Sequence, residues 1–279
     1  QFFTCISCLL LFNNLNYLKL AVHSVRKNSH FKDAPFIIHA ENCTDGTNQW
    51  LEEVAKQYDL TLIIEPDNAC IKGIGGGMNV CASAVKTEYI CFLHSDFYVT
   101  KDWDLKLLEV HQKHPSKKLW VNSCRVEPNM FSSQERPGTV FTDPGHFGAY
   151  HDDFRAEDFE KWVEDARELF AKYGDIPKGE GVSGLVKKTV WDEVGGNDSL
   201  FAPTSYDDMD LFVRMLQHGV EFVLPHSSVV WHFGARGSHR LEENNGQSSL
   251  RQQESEKKNI QNWLQKWKEM PTFDMWGMI

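Results

Sequence analysis

Short apolar runs and amphipathic stretches alternate along the first hundred residues. Phe2 to Phe12 is apolar and ends at Asn13-Asn14. Tyr17, Leu18, Leu20, Ala21 and Val25 then recur at helical spacing, which predicts a helix to about Lys27. Pro35 to Ala40 reads as a second strand, followed by a polar loop from Glu41 to Thr47. Thr47 or Asn48 is suited to cap the next helix, whose apolar stripe is Trp50, Leu51, Val54 and Ala55. Leu60 to Ile64 is a third strand, and the glycine-rich stretch 72–79 opens a helix through Val85. Tyr89 to Leu93 is a fourth strand that ends abruptly in the polar triplet His94-Ser95-Asp96. Runs this short and this apolar suit strands buried on both faces of a parallel sheet. Strands and helices alternating at this length imply right-handed crossovers.

The second half is less regular. Trp103 to His111 reads as a helix, Leu119 to Val121 as a strand, and Asn129 to Asp152 as a long loop. Phe159, Trp162, Val163, Ala166, Leu169, Phe170 and Tyr173 predict one amphipathic helix, stopped by Gly174. Asp207 to Leu211 enters a helix that continues through Phe212, Met215 and Leu216. Val220 to Pro225 and Ser228 to Trp231 are short strands, the second ending at His232. Far along the tail, Ile260, Trp263, Leu264 and Trp267 share one helical face. A helix docked on the domain is expected there, with a membrane-surface or partner contact as the other reading.

Composition narrows the function. A chain of 279 residues can bury a large core, as one α/β domain or as a domain with an appendage. The formal net charge of -10 argues against a nucleic-acid binder, which needs clustered Lys and Arg. It leaves room for a small phosphorylated molecule. The seven cysteines are odd in number and several lie in apolar stretches, which suggests reduced thiols. Cys5 and Cys8 fall in a strand, where residues three apart face opposite ways. No basic residue precedes Phe2 to Phe12 and no small-residue cleavage site follows it, so it is not expected to be a signal peptide. No stretch has the length of a membrane-spanning helix. A cytoplasmic location is expected, free or at the cytosolic face of a membrane.

The candidate chemistry lies at the ends of these elements. In open α/β sheets ligands bind beyond the carboxyl ends of the strands, which puts His94, Ser95 and Asp96 at a binding edge. A carboxylate with an imidazole two residues before it can hold a divalent cation against an anionic ligand; a simple turn is the other reading. Gly75, Gly76 and Gly77 at a helix start let a ligand approach backbone N–H groups closely. Met78 stands where a dinucleotide fingerprint needs its third glycine, so that motif is excluded. Asp207, Asp208 and Asp210 put three carboxylates in four residues at a helix start. Helix electrostatics accounts for acids there. Three exceed what a cap needs, and crowded like charges raise a pKa, as a general base requires.

In this order the motifs resemble those of inverting nucleotide-sugar glycosyltransferases of the GT-A family 2, from the first strand to about His232. The resemblance implies an α/β, Rossmann-like fold with a mostly parallel central sheet flanked by helices and a C-terminal helical tail. It implies a glycosyltransferase domain over 1–240, with a nucleotide-sugar half at 1–100 and an acceptor half at 101–240, and an extension over 241–279. Phe12 and Asn13 look like the first loop, which packs on the donor's base. Glu41 and Asn42 look like the second, where an acid contacts base or ribose, with Glu41 replacing the usual Asp. Gly75, Gly76 and Asn79 correspond to the glycine-rich turn, and Asn79 to Asp96 matches the family spacing without a gap. His94-Ser95-Asp96 falls on the D-x-D motif, with His94 in the place of the first acid. Asp207 to Asp210 resembles the E-D-x-D segment, with Asp208 on the catalytic base and Asp207 beside it. His232 matches a late metal-binding His.

The activity so implied is transfer of a sugar from a nucleotide-diphosphate sugar, first of all a UDP-sugar, to a hydroxyl. The acceptor would be a glycan, or a lipid-linked or protein-linked sugar, as in polysaccharide biosynthesis. Mn²⁺ or Mg²⁺ would sit on Asp96 and His232. His94 is either a third ligand as neutral imidazole or a hydrogen-bond donor to phosphate as imidazolium. Ser183 and Gly184 are expected on the acceptor side; Trp191 either stacks on a sugar there or packs in the core. Two other functions fit the same residues. One is a protein that binds a nucleotide sugar without turning it over, which His94 in place of an acid favours. The other is a nucleotidyltransferase on a similar core.

Overall fold

Two sheets organise the structure, a computed structural model that describes residues 4–9, 14–41, 43–66, 71–128, 141–142, 146–177, 183–234 and 250–270, with backbone alone at 4–9, 141–142 and 251. The first half of the chain runs β1 (Thr4–Leu9), α1 (Leu15–Asn28), β2 (Phe36–Ala40), α2 (Thr47–Val54), β3 (Leu60–Ile64), α3 (Gly73–Ala84), β4 (Tyr89–His94), β5 (Phe97–Val99), α4 (Trp103–Lys113), β6 (Leu119–Val121), β7 (Cys124–Glu127) and β8 (Phe141–Thr142). The second half adds α5 (Ala156–Asp165), α6 (Arg167–Tyr173), β9 (Asp175–Ile176), β10 (Leu185–Lys187), α7 (Lys188–Val194), α8 (Asp207–Gln217), β11 (Glu221–Pro225), β12 (Val229–His232) and α9 (Leu250–Trp267).

The larger sheet has the order β3-β2-β1-β4-β10-β6-β11-β9. β3, β2, β1 and β4 are parallel, as the alternation of strands and helices predicts. β10 then runs antiparallel to both its neighbours, β6 and β11 are parallel, and β9 closes the edge antiparallel. β4 shows why its run is apolar throughout. Tyr89, Cys91 and Leu93 face a cluster with Leu18, Val22, Phe36 and Trp103, while Ile90 and Phe92 face Met78, Trp120, Trp191 and Met215 on the other side. The smaller sheet, β5-β12-β7-β8, was not expected. β5 and β7 span three and four residues, too few for a periodicity to show. An aromatic cluster of Tyr98, Phe147, Phe159, Trp231 and Phe233 packs against it.

Some boundaries differ from expectation. Gly46, at φ 88°, is the N-cap of α2, and Asp45 accepts from the Thr47 N–H, so neither Thr47 nor Asn48 caps that helix. The single helix expected over 159–173 breaks at Ala166. Phe170 thereby joins Phe159 and Val163 in one cluster, and Leu169 and Tyr173 stay exposed. α9 docks on the domain through Trp263, fully buried against Phe201 and Met209. Two of the three buried residues described in α9 are polar: Ser255 and Asn259 lie under the same interface. No helix among the described residues is long and apolar enough to cross a membrane.

Candidate active site

The first candidate corner is made by strand ends. β4 stops at His94, and the chain turns through Ser95-Asp96 into β5. β12 pairs antiparallel with β5, His232 opposite Phe97, and the Phe233 N–H donates to the Asp96 carbonyl. That register brings His232 Nε2 to 3.4 Å from Asp96 Oδ2. β7 lies parallel on the other side of β12, so Glu127 meets His232 Nδ1 at 2.5 Å. The His232 ring stacks on Phe97, centroids 4.5 Å apart. One ligand atom each from His94, Asp96 and His232 falls within 4.8 Å of the others. His94 Nε2 is buried and has no hydrogen-bond partner among the described residues. The Ser95 hydroxyl accepts from Asn14 Nδ2 at 3.0 Å, which ties the turn to the start of α1.

Burial and charge set the protonation of this corner. Burial pushes the His94 imidazole down to about 4; Asp96 opposes that, and His232 and Arg125 add to it. His94 is therefore neutral near pH 7, the form that offers a lone pair. Burial raises the Asp96 carboxyl, but the charge and hydrogen bond of His232, with His94, outweigh it and hold the group at about 2. Burial lowers His232, yet Asp96 and Glu127 together raise it above its ordinary value.

On the expected donor side, Phe12, Asn13 and Asn42 lie outside the described residues. Glu41 is buried, and its carboxylate accepts from the backbone N–H of Lys72 at 2.5 Å and of Gly73 at 3.0 Å. It caps the positive end of α3 and is not turned to an open ribose site. Gly75 and Gly76 lie inside the first turns of α3. A Cβ on Gly75 would come within 3.0 Å of Asn197, and one on Gly73 within 1.5 Å of the Pro203 carbonyl oxygen. At Gly76 it would meet Lys72 at 2.5 Å. Asn79 exchanges two hydrogen bonds with the backbone of Asn197, at 2.8 and 2.9 Å. Gly73, Gly75 and Asn79 thus receive the segment around Asn197 and Pro203, where the sequence suggested an approaching ligand.

The second corner is the acid segment. Ser205 and Tyr206 both have left-handed backbones, φ 69° and 70°, immediately before α8. Asp207 is buried and accepts from the Gly75 N–H. Asp208 is partly exposed, with Oδ1 accepting from the Met209 N–H at 2.8 Å. Burial raises the pKa of both, and at Asp207 the charge of Asp208 adds to it. Asp210 is fully buried and holds Arg214 Nε at 2.8 Å, Lys266 Nζ at 2.6 Å and Trp267 Nε1 at 3.0 Å. It joins α8 to α9, a larger task than the helix-start charge its position suggests.

The expected acceptor residues divide. Ser183 is buried, its carbonyl accepting from Asn122 Nδ2 at 2.6 Å and its hydroxyl without a partner among the described residues. Gly184 is needed for packing, since a Cβ there would lie 2.6 Å from the Trp120 indole. Trp191 is buried against Phe92, ring centroids 4.6 Å apart, so the core reading holds and sugar stacking does not. Glu127, Arg125 and Asn259 were missed. Glu127 and Arg125 sit on a strand too short to recognise, and Asn259 is a polar residue on a face read only for its apolar members.

The comparisons with known proteins bear on the family and the fold. The family described as Glycosyl transferase family 2 matches residues 8–157, a range that includes His94 and Asp96 but not Asp208 or His232. Among solved structures, S. aureus TarS superposes with a TM-score of 0.56 at 11% identity, covering 93% of this chain and 42% of that one. A crystal structure of GalNAc-T7 with UDP, GalNAc and Mn²⁺ gives 0.60 at 14%, covering 83% and 44%. TarS 1-349 gives 0.53 at 13%, covering 82% and 60%. The chain spans about half the length of these proteins, and at such identities the likeness concerns the fold alone. No curated protein matches it in sequence. With more than half of its residues matched, on a GT-A-like fold, the chain belongs to glycosyl transferase family 2.

Proposed function

We propose that the protein is a metal-dependent, inverting enzyme that moves a sugar from a nucleotide-diphosphate sugar, a UDP-sugar first of all, to a hydroxyl of a glycan or another acceptor. The observation that carries this reading is the buried, unpartnered Nε2 of His94 beside Asp96 and His232. Two imidazoles and one carboxylate suit Mn²⁺ better than Mg²⁺, which prefers an all-oxygen shell. His94, Asp96 and His232 would hold the cation, and when bound it would neutralise charge on the departing nucleotide diphosphate. Glu127 fixes the His232 ring from behind, as a carboxylate commonly does for a ligating histidine. Asp208 is the general base: it takes the proton of the acceptor hydroxyl as that oxygen attacks the anomeric carbon. Its partial exposure leaves it reachable, whereas Asp207 is buried on Gly75. A single displacement inverts the anomeric configuration. The neighbour solved with UDP, GalNAc and Mn²⁺ supports the choice of donor and cation.

A thermal-shift screen of UDP-, GDP- and dTDP-sugars with and without Mn²⁺, followed by product analysis, tests the proposal. One UDP-sugar should stabilise the protein only with the metal, and turnover should release UDP and give the inverted anomer. Undiminished binding and turnover in EDTA would remove the metal. Released pyrophosphate would indicate a nucleotidyltransferase, and binding without release of UDP a sugar-binding protein.

A further inference from the structure

The turn that precedes the acid segment is irregular in an unusual way. Ser205 and Tyr206, neither of them glycine, take left-handed conformations in succession, φ 69° and 70°. L residues avoid that region because Cβ crowds the following carbonyl. Such conformations persist where surrounding contacts hold them. Tyr206 is the N-cap of α8, so its backbone sets the direction in which Asp207 and Asp208 leave the turn.

The contacts that hold it come from α9. Asn259 is fully buried, and its amide donates to the carbonyls of Phe201 and Thr204, both at 2.6 Å, and of Ser205 at 3.1 Å. These carbonyls belong to a loop with no ladder of its own, so a side chain must satisfy them. Ser255 adds a bond to the Thr204 carbonyl, and Gln252 donates to the Ser205 hydroxyl at 2.7 Å. The Tyr206 ring lies against Trp263, centroids 6.0 Å apart. Two turns further along α9, Lys266 and Trp267 hold Asp210 in the first turn of α8. The C-terminal helix therefore grips α8 both before and just inside its start.

We infer that Asn259 is a positioning residue for transfer: from α9 it maintains the left-handed turn at Ser205-Tyr206 that aims the Asp208 carboxylate at the acceptor. This rests on the reading of Asp208 as the base. It assigns the tail a part in catalysis without any contact to substrate, because Asn259 acts through the backbone of the turn.

The experiment compares Asn259→Ala, Ser205→Gly, the double variant and Asp208→Asn in the full chain. It measures transfer kcat, donor KM, Mn²⁺-dependent donor binding and melting temperature. Asn259→Ala should lower kcat about tenfold or more, with donor KM and donor binding within about twofold of the parent. Glycine takes a left-handed φ without crowding, so Ser205→Gly should restore much of that rate in the Asn259→Ala background. A lowered melting temperature with kcat unchanged, or a rate that Ser205→Gly does not rescue, would make Asn259 a stability residue only and overturn the inference. Should Asn259→Ala not fold, Asn259→Ser, which keeps one donor, is read by the same criteria. Full transfer by Asp208→Asn would overturn the base and this inference with it. An inactive Asp208→Asn beside a parental Asn259→Ala would remove this inference alone.

Discussion

The two corners of the site are held in opposite ways. The corner proposed to hold a cation is made by the ends of β4 and β12 and backed by Glu127 at the end of β7, with sheet hydrogen bonds fixing all three strands. The acid corner is an irregular turn with two left-handed residues, steadied by side-chain amides and hydroxyls from a helix at the far end of the chain. The ladder holds these ends in place: His94 is paired to Leu9 of β1, and β12 lies between β5 and β7. A turn of this kind has no such redundancy. Changes at the first corner should therefore remove chemistry while leaving the fold alone, and changes around the second should alter rate and stability together.

The largest effect is expected at Asp96. Asp96→Ala should abolish both Mn²⁺-dependent donor binding and transfer; calorimetric titration with UDP-sugar and Mn²⁺ checks this. Asp208→Asn comes next, with a roughly hundredfold or greater loss of transfer rate at nearly unchanged donor affinity. Its pH profile follows from the raised pKa. The base works ionised, so the rate of the parent should climb with pH through a limb above the ordinary carboxylate range. That limb should be missing from the residual rate of Asp208→Asn.

Asp210→Asn sharpens the contrast through stability. Removing one partner of a buried ion pair costs about 3–5 kcal/mol, and here roughly 2–3 kcal/mol is expected because Lys266 is partly exposed and keeps Asp198. Denaturant unfolding measures it. Glu127→Gln should weaken Mn²⁺ binding by about tenfold, the low end for a residue behind a metal ligand, and leave the pH limb of Asp208 in place. The smallest effect has the opposite sign. Asp207 has a raised pKa, so its protonated form is favoured in the folded state, and the stability this contributes is lost as pH rises through the folded value. Asp207→Asn removes that loss, and its melting temperature should exceed the parent's at neutral and alkaline pH but not at low pH.

The half of the fold from β1 to β4 was legible because its strands read as short, largely apolar runs, and β2 and β4 are buried on both faces. β5 and β7 were not, although they deliver Asp96 and Glu127, because three or four residues carry no period. The polarity of the α9 interface escaped for a related reason: Asn259 and Ser255 meet carbonyls that only the folded chain brings near. At the cation corner, His94, Asp96 and His232 were legible as residue types at strand ends. The glycines teach the sharper lesson. Their lack of a side chain signals that something approaches the backbone closely, but the sequence does not say what. At Gly73 and Gly75 the approaching group is the segment around Asn197 and Pro203.

The order of the chain gives the cation corner one more property. His94 and His232 are separated by about half of the chain, and β12 must be in place before they meet. Contacts this distant in sequence are slow to close, so the corner assembles among the last events of folding. During synthesis, a nascent chain that has reached residue 157 holds everything the family match spans and lacks both His232 and Asp208. The proposed cation site is thereby incomplete until β12 has been made.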